Sequence, residues 1–259
     1  MFGYKRLRAA WVVRRHAIDD ALWKSVSARL VPLRRLSSTE MAHLRSLATQ
    51  FLHDKSFSGA RGFELTPQRR LIIAIQAVLP ILRLDLSLYR GWSEVIVYAD
   101  LFKVTRTQED DNGVVHLQQE VLAGESWSRG PVILSWGDIE FELAHPGDGR
   151  NVVIHELAHK LDALNGRTNG MPPLHADMRV SDWSESFGDA YDSLLRSLDD
   201  EGDAPIDAYA ATSPAEFFAV VSEYFFSAPE HLRDAYPRVY RQLSRYYRQA
   251  PVAARNGAV

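Results

Sequence analysis

The stretch from Asn151 to Gly166, NVVIHELAHKLDALNG, constrains this chain more than any other part of it. Apolar Val152, Val153, Ile154, Leu157, Ala158, Leu161 and Leu164 nearly encircle a helix over its first turns, so that helix must be mostly buried. Asp148 or Asn151 is placed to cap its start, and Gly166 suits its C-terminal stop. The same buried helix carries His155, Glu156 and His159, the pattern H-E-x-x-H. Residues four apart on a helix lie one above the other on one face, so the two imidazoles converge. They can hold one metal ion, and the glutamate beside the first can reach a water on that ion. The plainer alternative is a pair of core histidines bonded to backbone carbonyls. It leaves two imidazoles and a carboxylate on one apolar face with no cation, which is costly.

A catalytic zinc usually takes three protein ligands and keeps a fourth position open. The chain has no cysteine, so the third ligand must be His or a carboxylate. No His lies between Lys160 and Arg167, so it must come from further along. The helical stretch PAEFFAVVSEYFF surrounds Glu216 and Glu223 with aromatic and aliphatic residues, and their spacing of seven puts them on one face. A carboxylate there needs a partner, and a metal is a good one. Glu216 is the favoured ligand, although Ser213 three residues earlier would also make it half of a capping box. Glu223 reads better as the group that holds a ligating imidazole by its other N–H, with ligation as the lesser alternative. His175, in the loop beyond the motif, is another alternative ligand. Asp162 reads equally as a support for the site or as a solvated helix residue.

The rest of the chain is expected to form one continuous domain, residues 1–259, of α+β class. The expectation is a mostly helical zincin-type metallopeptidase fold, with a small, mainly antiparallel sheet preceding the HExxH helix. An N-terminal helical layer covers about residues 18–90, the sheet about 92–137, and the HExxH and glutamate-ligand helices about 149–249. In the first layer, Ile18 to Leu30 is amphipathic, Ser37 to Glu40 is a capping box, Gly59 to Gly62 marks a loop, and Thr66-Pro67 opens an all-round apolar helix. Glu94 to Tyr98 and Leu101 to Thr107 have strand composition, and the turn cluster Asp110 to Gly113 leads to a returning strand at Val114 to Leu122. Val132 to Trp136 is a further strand whose preceding Pro131 suggests an edge, where a peptide could align as an added strand. Residues 138–149 read as a short helix and then a loop, 167–180 as a loop and candidate cover, 181–198 as a helix, and 230–247 as one or two closing helices. The basic N-terminal segment reads as flexible or peripheral, and the last ten residues, 250–259, read as disordered.

No stretch approaches 18 apolar residues, so no membrane span is expected, and the short apolar run Ala9 to Val13 is no secretory signal. A cytoplasmic protein is the expectation. A net charge of −3 gives no argument for direct binding to nucleic acid.

HELAHKLD followed much later by DAYAATSPAEFFAVVSEYFFSAPE closely resembles the Mlc titration factor A family of bacterial zinc-dependent peptidases. FELTPQRRLIIAIQAVLP, GWSEVIVY and VLAGESWSRGPVILSW extend the resemblance upstream, over roughly Phe63 to Pro229. A more distant similarity is to the catalytic domain of anthrax lethal factor. The resemblance implies one zinc ion on His155, His159 and Glu216, with Glu156 as general base. It also implies that Tyr209, seven residues before Glu216, helps stabilise the oxyanion. The implied activity is aminopeptidase-like hydrolysis of short peptides, and the implied partner beside the peptide substrate is an Mlc-type transcriptional repressor of sugar uptake. The rival reading is a regulatory repressor-binding protein whose hydrolysis is secondary or latent. A purely structural zinc site is disfavoured, because such sites are usually closed by four ligands and rich in cysteine.

Overall fold

The computed structural model describes residues 2–100, 106–109, 115–118, 130–200 and 204–252. Its hub is the helix that Thr66-Pro67 opens, α4 (Pro67–Val78). Thr66 Oγ1 accepts the Arg69 N–H at 3.3 Å, and Pro67 occupies a first-turn position where the missing N–H has no intrahelical partner anyway. Every residue from Leu71 to Val78 is buried, Gln76 included. A helix apolar on all sides must be enclosed. It packs against α2 (Asp20–Ser27), α3 (Ser38–Asp54) and the motif helix α6 (Val152–Asp162). The capping box at the start of α3 is complete: Ser37 Oγ accepts the Glu40 N–H, and Glu40 Oε2 accepts the Ser37 N–H at 2.9 Å.

The sheet departs from expectation. Three strands, β1 (Ser56–Gly59), β2 (Glu94–Tyr98) and β5 (Val132–Ser135), pair in the order β1-β2-β5, and both pairings are parallel. Ser56 aligns with Glu94 on one side of β2, and Val95 with Val132 on the other. Parallel neighbours need a crossover of a dozen residues or more. Here α4 lies within the first crossover, and the second runs from Tyr98 to Val132. The antiparallel expectation rested on the returning strand at Val114 to Leu122 beyond the turn cluster Asp110 to Gly113, and on taking that hairpin as part of the same sheet. The antiparallel pair is instead a separate ribbon, β3 (Arg106–Glu109) with β4 (Val115–Gln118), in register from Arg106 opposite Gln118 to Glu109 opposite Val115. Residues 101–105 and the turn cluster 110–114 lie outside the described residues. Among the described residues β5 pairs only with β2, the edge position that Pro131 suggested. β1 falls next to the stretch read as a loop, because SFSG carries no strand-like run.

The N-terminal segment, read as flexible or peripheral, is a peripheral helix, α1 (Phe2–Arg15). It lies on α3 with Val12 fully buried and Arg8 paired to Asp54 at 2.6 Å. Ser135 Oγ caps α5 (Trp136–Ala144) by accepting the Asp138 N–H, and a loop then leads into α6. Beyond α6 come α7 (Val180–Asp200), α8 (Pro214–Ser227), α9 (Pro229–Ala235) and α10 (Pro237–Tyr247). Proline opens each of the last three, so the closing segment is two helices. No helix among the described residues is long and apolar enough to cross a membrane.

The loop between α6 and α7 is tied down along its length. Asp162 Oδ2 accepts the Gly170 N–H at 2.7 Å, and Trp183 Nε1 donates to the Gly170 carbonyl at 3.1 Å. Asn165 Nδ2 donates to the Met171 carbonyl at 2.9 Å, and His175 Nε2 bonds the Tyr246 carbonyl at 2.7 Å. Arg245 bonds the Asp177 carbonyl, and Arg248 grips the Asp177 carboxylate at 2.5 and 2.9 Å. Gly170 has a φ of +78°, and a Cβ there would lie 2.3 Å from the Pro214 carbonyl oxygen at the start of α8. Both the left-handed backbone and the contact with another backbone require glycine. Gly170→Ala is expected to destabilise the protein by about 2–3 kcal/mol, lowering the melting temperature by roughly 5–10 °C in calorimetry. An unchanged melting temperature would show that the loop yields freely.

Candidate metal centre

Asn151 starts α6, as one of the two expected caps. Its Oδ1 accepts the Ile154 N–H at 2.9 Å, while its Nδ2 donates to Gln76 Oε1 of α4 at 2.5 Å. The open N–H groups of this helix end meet two carboxylates. Glu223 Oε2 accepts the Asn151 N–H at 2.5 Å, and Glu142 Oε1 of α5 accepts the Val152 N–H at 2.8 Å. Both acids accept N–H groups that the helix start leaves open, so these contacts fix α6 against both α5 and α8.

One turn further on, His155 and His159 meet Glu216. The two Nε2 atoms are 3.2 Å apart, and Glu216 Oε2 is 3.1 Å from the first and 3.3 Å from the second. Two donors each about 2.0–2.1 Å from a zinc ion, at the tetrahedral angle, stand about 3.3–3.4 Å apart. The three atoms therefore outline one face of such a tetrahedron, and His155, His159 and Glu216 are the one such group of His and carboxylate among the described residues that could hold a metal ion. Ser213 Oγ caps α8 by accepting the Glu216 N–H at 3.2 Å, but the Glu216 carboxylate turns to the imidazoles. In the box at Ser37, by contrast, the Glu40 carboxylate returns to the cap. Glu223 lies behind this face, where the His155 Nδ1–H donates to its Oε1 at 2.7 Å. That bond fixes the ring and aims Nε2 at the metal position.

Without a metal, a proton holds the cluster together. Burial alone would lower the basicity of His155, but its hydrogen bonds to Glu216 and Glu223 outweigh that and raise its pKa to about 10. Burial would raise Glu216, yet its bonds to His155 and His159 hold it down at about 2. Stability from the raised His155 is fully present below its ordinary value of 6.5 and is lost as pH rises through about 10. Stability from the lowered Glu216 is present above its ordinary 4.5 and is lost as pH falls through about 2. Ligation requires a neutral imidazole, so metal binding at neutral pH is expected to release about one proton per chain. Calorimetric titrations in buffers of differing ionisation enthalpy measure this directly; no dependence on the buffer would contradict it.

Glu156 sits beside the same face, and burial pushes its carboxyl up despite the opposing pull of His155 and His159. Tyr209 lies on a short turn, Ala208–Ala211, whose first N–H groups are capped by Asp207. Its ring centroid is 6.0 Å from that of His155, and the residue is 41% exposed. Burial of part of the ring and the nearby Glu216 raise its hydroxyl to about 12, so it remains an O–H donor at neutral pH. His175 is not brought to this cluster: its Nε2 is engaged by the Tyr246 carbonyl. Asp162 is fully buried, not solvated, and one of its oxygens holds the Gly170 turn. Its other oxygen and His159 Nδ1 are both buried without a hydrogen-bond partner among the described residues. The sequence reading missed Glu142, which burial raises to about 8 and which has one buried oxygen unpartnered among the described residues. The signal was an acid between Phe141 and Leu143 just before the motif helix.

Comparison with known proteins adds an independent line. The profile of the family described as glucose-regulated metallo-peptidase M90 matches residues 4–248. Mlc titration factor A of Yersinia pestis (strain Pestoides F) is 43% identical over 223 residues, covering 84% of this chain and 81% of that protein. Mlc titration factor A of Yersinia pseudotuberculosis serotype O:1b matches to the same extent, 43% over 223 residues.

Proposed function

The chain belongs to the glucose-regulated metallo-peptidase M90 family, and from that membership we propose that it is a zinc-dependent peptidase of aminopeptidase type acting on short peptides. The observation that carries the reading is the triangle of His155 Nε2, His159 Nε2 and Glu216 Oε2, whose sides of 3.1–3.3 Å suit a tetrahedral ion. Two imidazoles and one carboxylate are also the donor set of known catalytic zinc sites. When bound, zinc supplies Lewis acidity, bringing water to nucleophilic strength near neutral pH and polarising a carbonyl.

The chain's own residues supply the proton handling. Glu156, whose affinity for a proton is raised by burial, takes the proton of the attacking water and passes it to the leaving amine. The Tyr209 hydroxyl, still protonated at neutral pH, donates to the oxygen on which negative charge develops. Glu223 keeps the His155 ring in one tautomer and one orientation, with Nε2 facing the ion.

The name of the Yersinia relatives favours a second role for this chain, binding to an Mlc-type transcriptional repressor. In that reading the chain regulates by titrating its partner, and hydrolysis is secondary. The test of the primary reading is the metal content of the purified chain together with its hydrolysis of an alanine-based chromogenic substrate. About one zinc per chain is expected. Cleavage should be lost on chelation and restored by zinc. A chain that holds zinc and cleaves nothing would put the repressor-binding reading first.

A further inference from the structure

A cleft of about 610 Å³ lies apart from the metal centre, and none of its lining residues belongs to that centre. It is bounded by the turn Val31–Arg35, the ends of α4 and α8, and the end of α10 with the residues after it. Its size is that of a small-molecule site. Four guanidinium groups, Arg35, Arg83, Arg245 and Arg248, line it against one carboxylate, Glu40. Glu230 and Asp177, which pair with Arg35 and Arg248 from outside the lining, leave these four cations facing three carboxylates, a small local excess of positive charge in a chain whose net charge is −3. Leu79 and Phe226 supply apolar wall.

The arginines are held in place from outside the lining. Glu230 pairs with Arg35 at 3.0 Å, and Asp177 grips both Nη atoms of Arg248 at 2.5 and 2.9 Å. Glu40, within the lining, pairs with Arg83 at 2.7 Å. Arg35 and Arg83 each use Nη2 alone, and their Nε and Nη1 groups carry no hydrogen bond among the described residues. Arg248 has a φ of +54°, a left-handed backbone that is uncommon for a residue with a side chain. The next residue is fixed as well: Gln249 Nε2 donates to the Leu79 and Pro80 carbonyls at 2.9 and 3.2 Å. Such strain persists only where the surroundings enforce it.

We propose that this cleft binds a small organic polyphosphate, with the guanidinium groups on the phosphates and the apolar wall against the organic part. Planar guanidinium forks match phosphate oxygens two at a time. Pre-placed forks also lose less conformational freedom on binding than free ones would.

The test uses the full-length chain as purified and titrates it with ATP, without magnesium, at low salt. Saturable binding in the tens of micromolar is expected, weakened at least tenfold in Arg35→Gln and in Arg83→Gln and weakened by added salt. Glu40→Gln supplies an effect of opposite sign. Glutamine can keep the capping box, so the helix start survives while the one lining carboxylate loses its charge. ATP binding should tighten about threefold or more in that variant, which a merely structural cluster would not do. No saturable binding, or affinity unchanged in both arginine variants, overturns the proposal; unchanged affinity would place ATP elsewhere, the metal included. Equal affinity for inorganic triphosphate overturns the organic part of the assignment.

Discussion

Glu156→Gln is expected to lower kcat/KM for peptide hydrolysis by about a thousandfold or more while leaving the metal content unchanged, because general-base catalysis is worth roughly 10²–10⁴ in rate. The substitution keeps the shape of the side chain and removes its capacity to take a proton. Neither of its neighbours in the donor triangle depends on it: His155 is held by Glu223 and Glu216, and His159 by contact with Glu216. The variant also separates the two proposed roles. If repressor binding is a distinct function, Glu156→Gln should bind an Mlc-type repressor as well as the native chain does. Retention of more than about a tenth of the activity would sink the assignment of Glu156 as the base.

Glu216→Ala is expected to reduce metal content from about one per chain to less than about a tenth after equal dialysis, and to remove hydrolysis with it. The carboxylate is the one donor of the triangle that does not come from α6, so its loss leaves two imidazoles and no closed face. The helix itself should survive. Ser213 still caps it, and Phe217, Phe218, Val221 and Phe225 remain packed in the core. The metal-free form should also lose the stability that the His155–Glu216 contact provides, which is complete between about pH 4.5 and 6.5 and fades as pH rises through about 10 or falls through about 2. A variant that keeps its zinc would make Glu216 a helix-cap residue only, and Glu223 the donor to examine next.

The candidate site and the sheet differed in how openly the sequence displayed them. The donor set was legible because α6 and α8 are both long, apolar and capped, and a buried acid or imidazole on such a helix stands out against its neighbours. His155, His159 and Glu216 were named from that contrast and from the family resemblance, and they lie in one cluster. The sheet was not legible. β1 is SFSG, four residues with one large apolar side chain, and its partners on β2 are 38 positions away along the chain, so no local pattern reports the pairing. Parallel pairing is set by where α4 crosses, which is a matter of packing and not of strand composition. Asp162 and Glu142 were ambiguous for a related reason. Each takes its role from a backbone N–H distant in the sequence or in the next element, and a one-dimensional reading of charge does not contain those partners.

The ties on the loop between α6 and α7 bear on how the site is reached. Five side-chain contacts hold that segment to α6, α7 and the end of α10, at about 0.5–1.5 kcal/mol each. Swinging it aside would break most of them together, at about 4–5.5 kcal/mol, so roughly one molecule in a thousand to one in ten thousand would have it open at any instant. The segment is then a fixed wall and not a door. Traffic to and from the ion would pass by the side on which Tyr209 is exposed, and turnover would not wait for the loop to move.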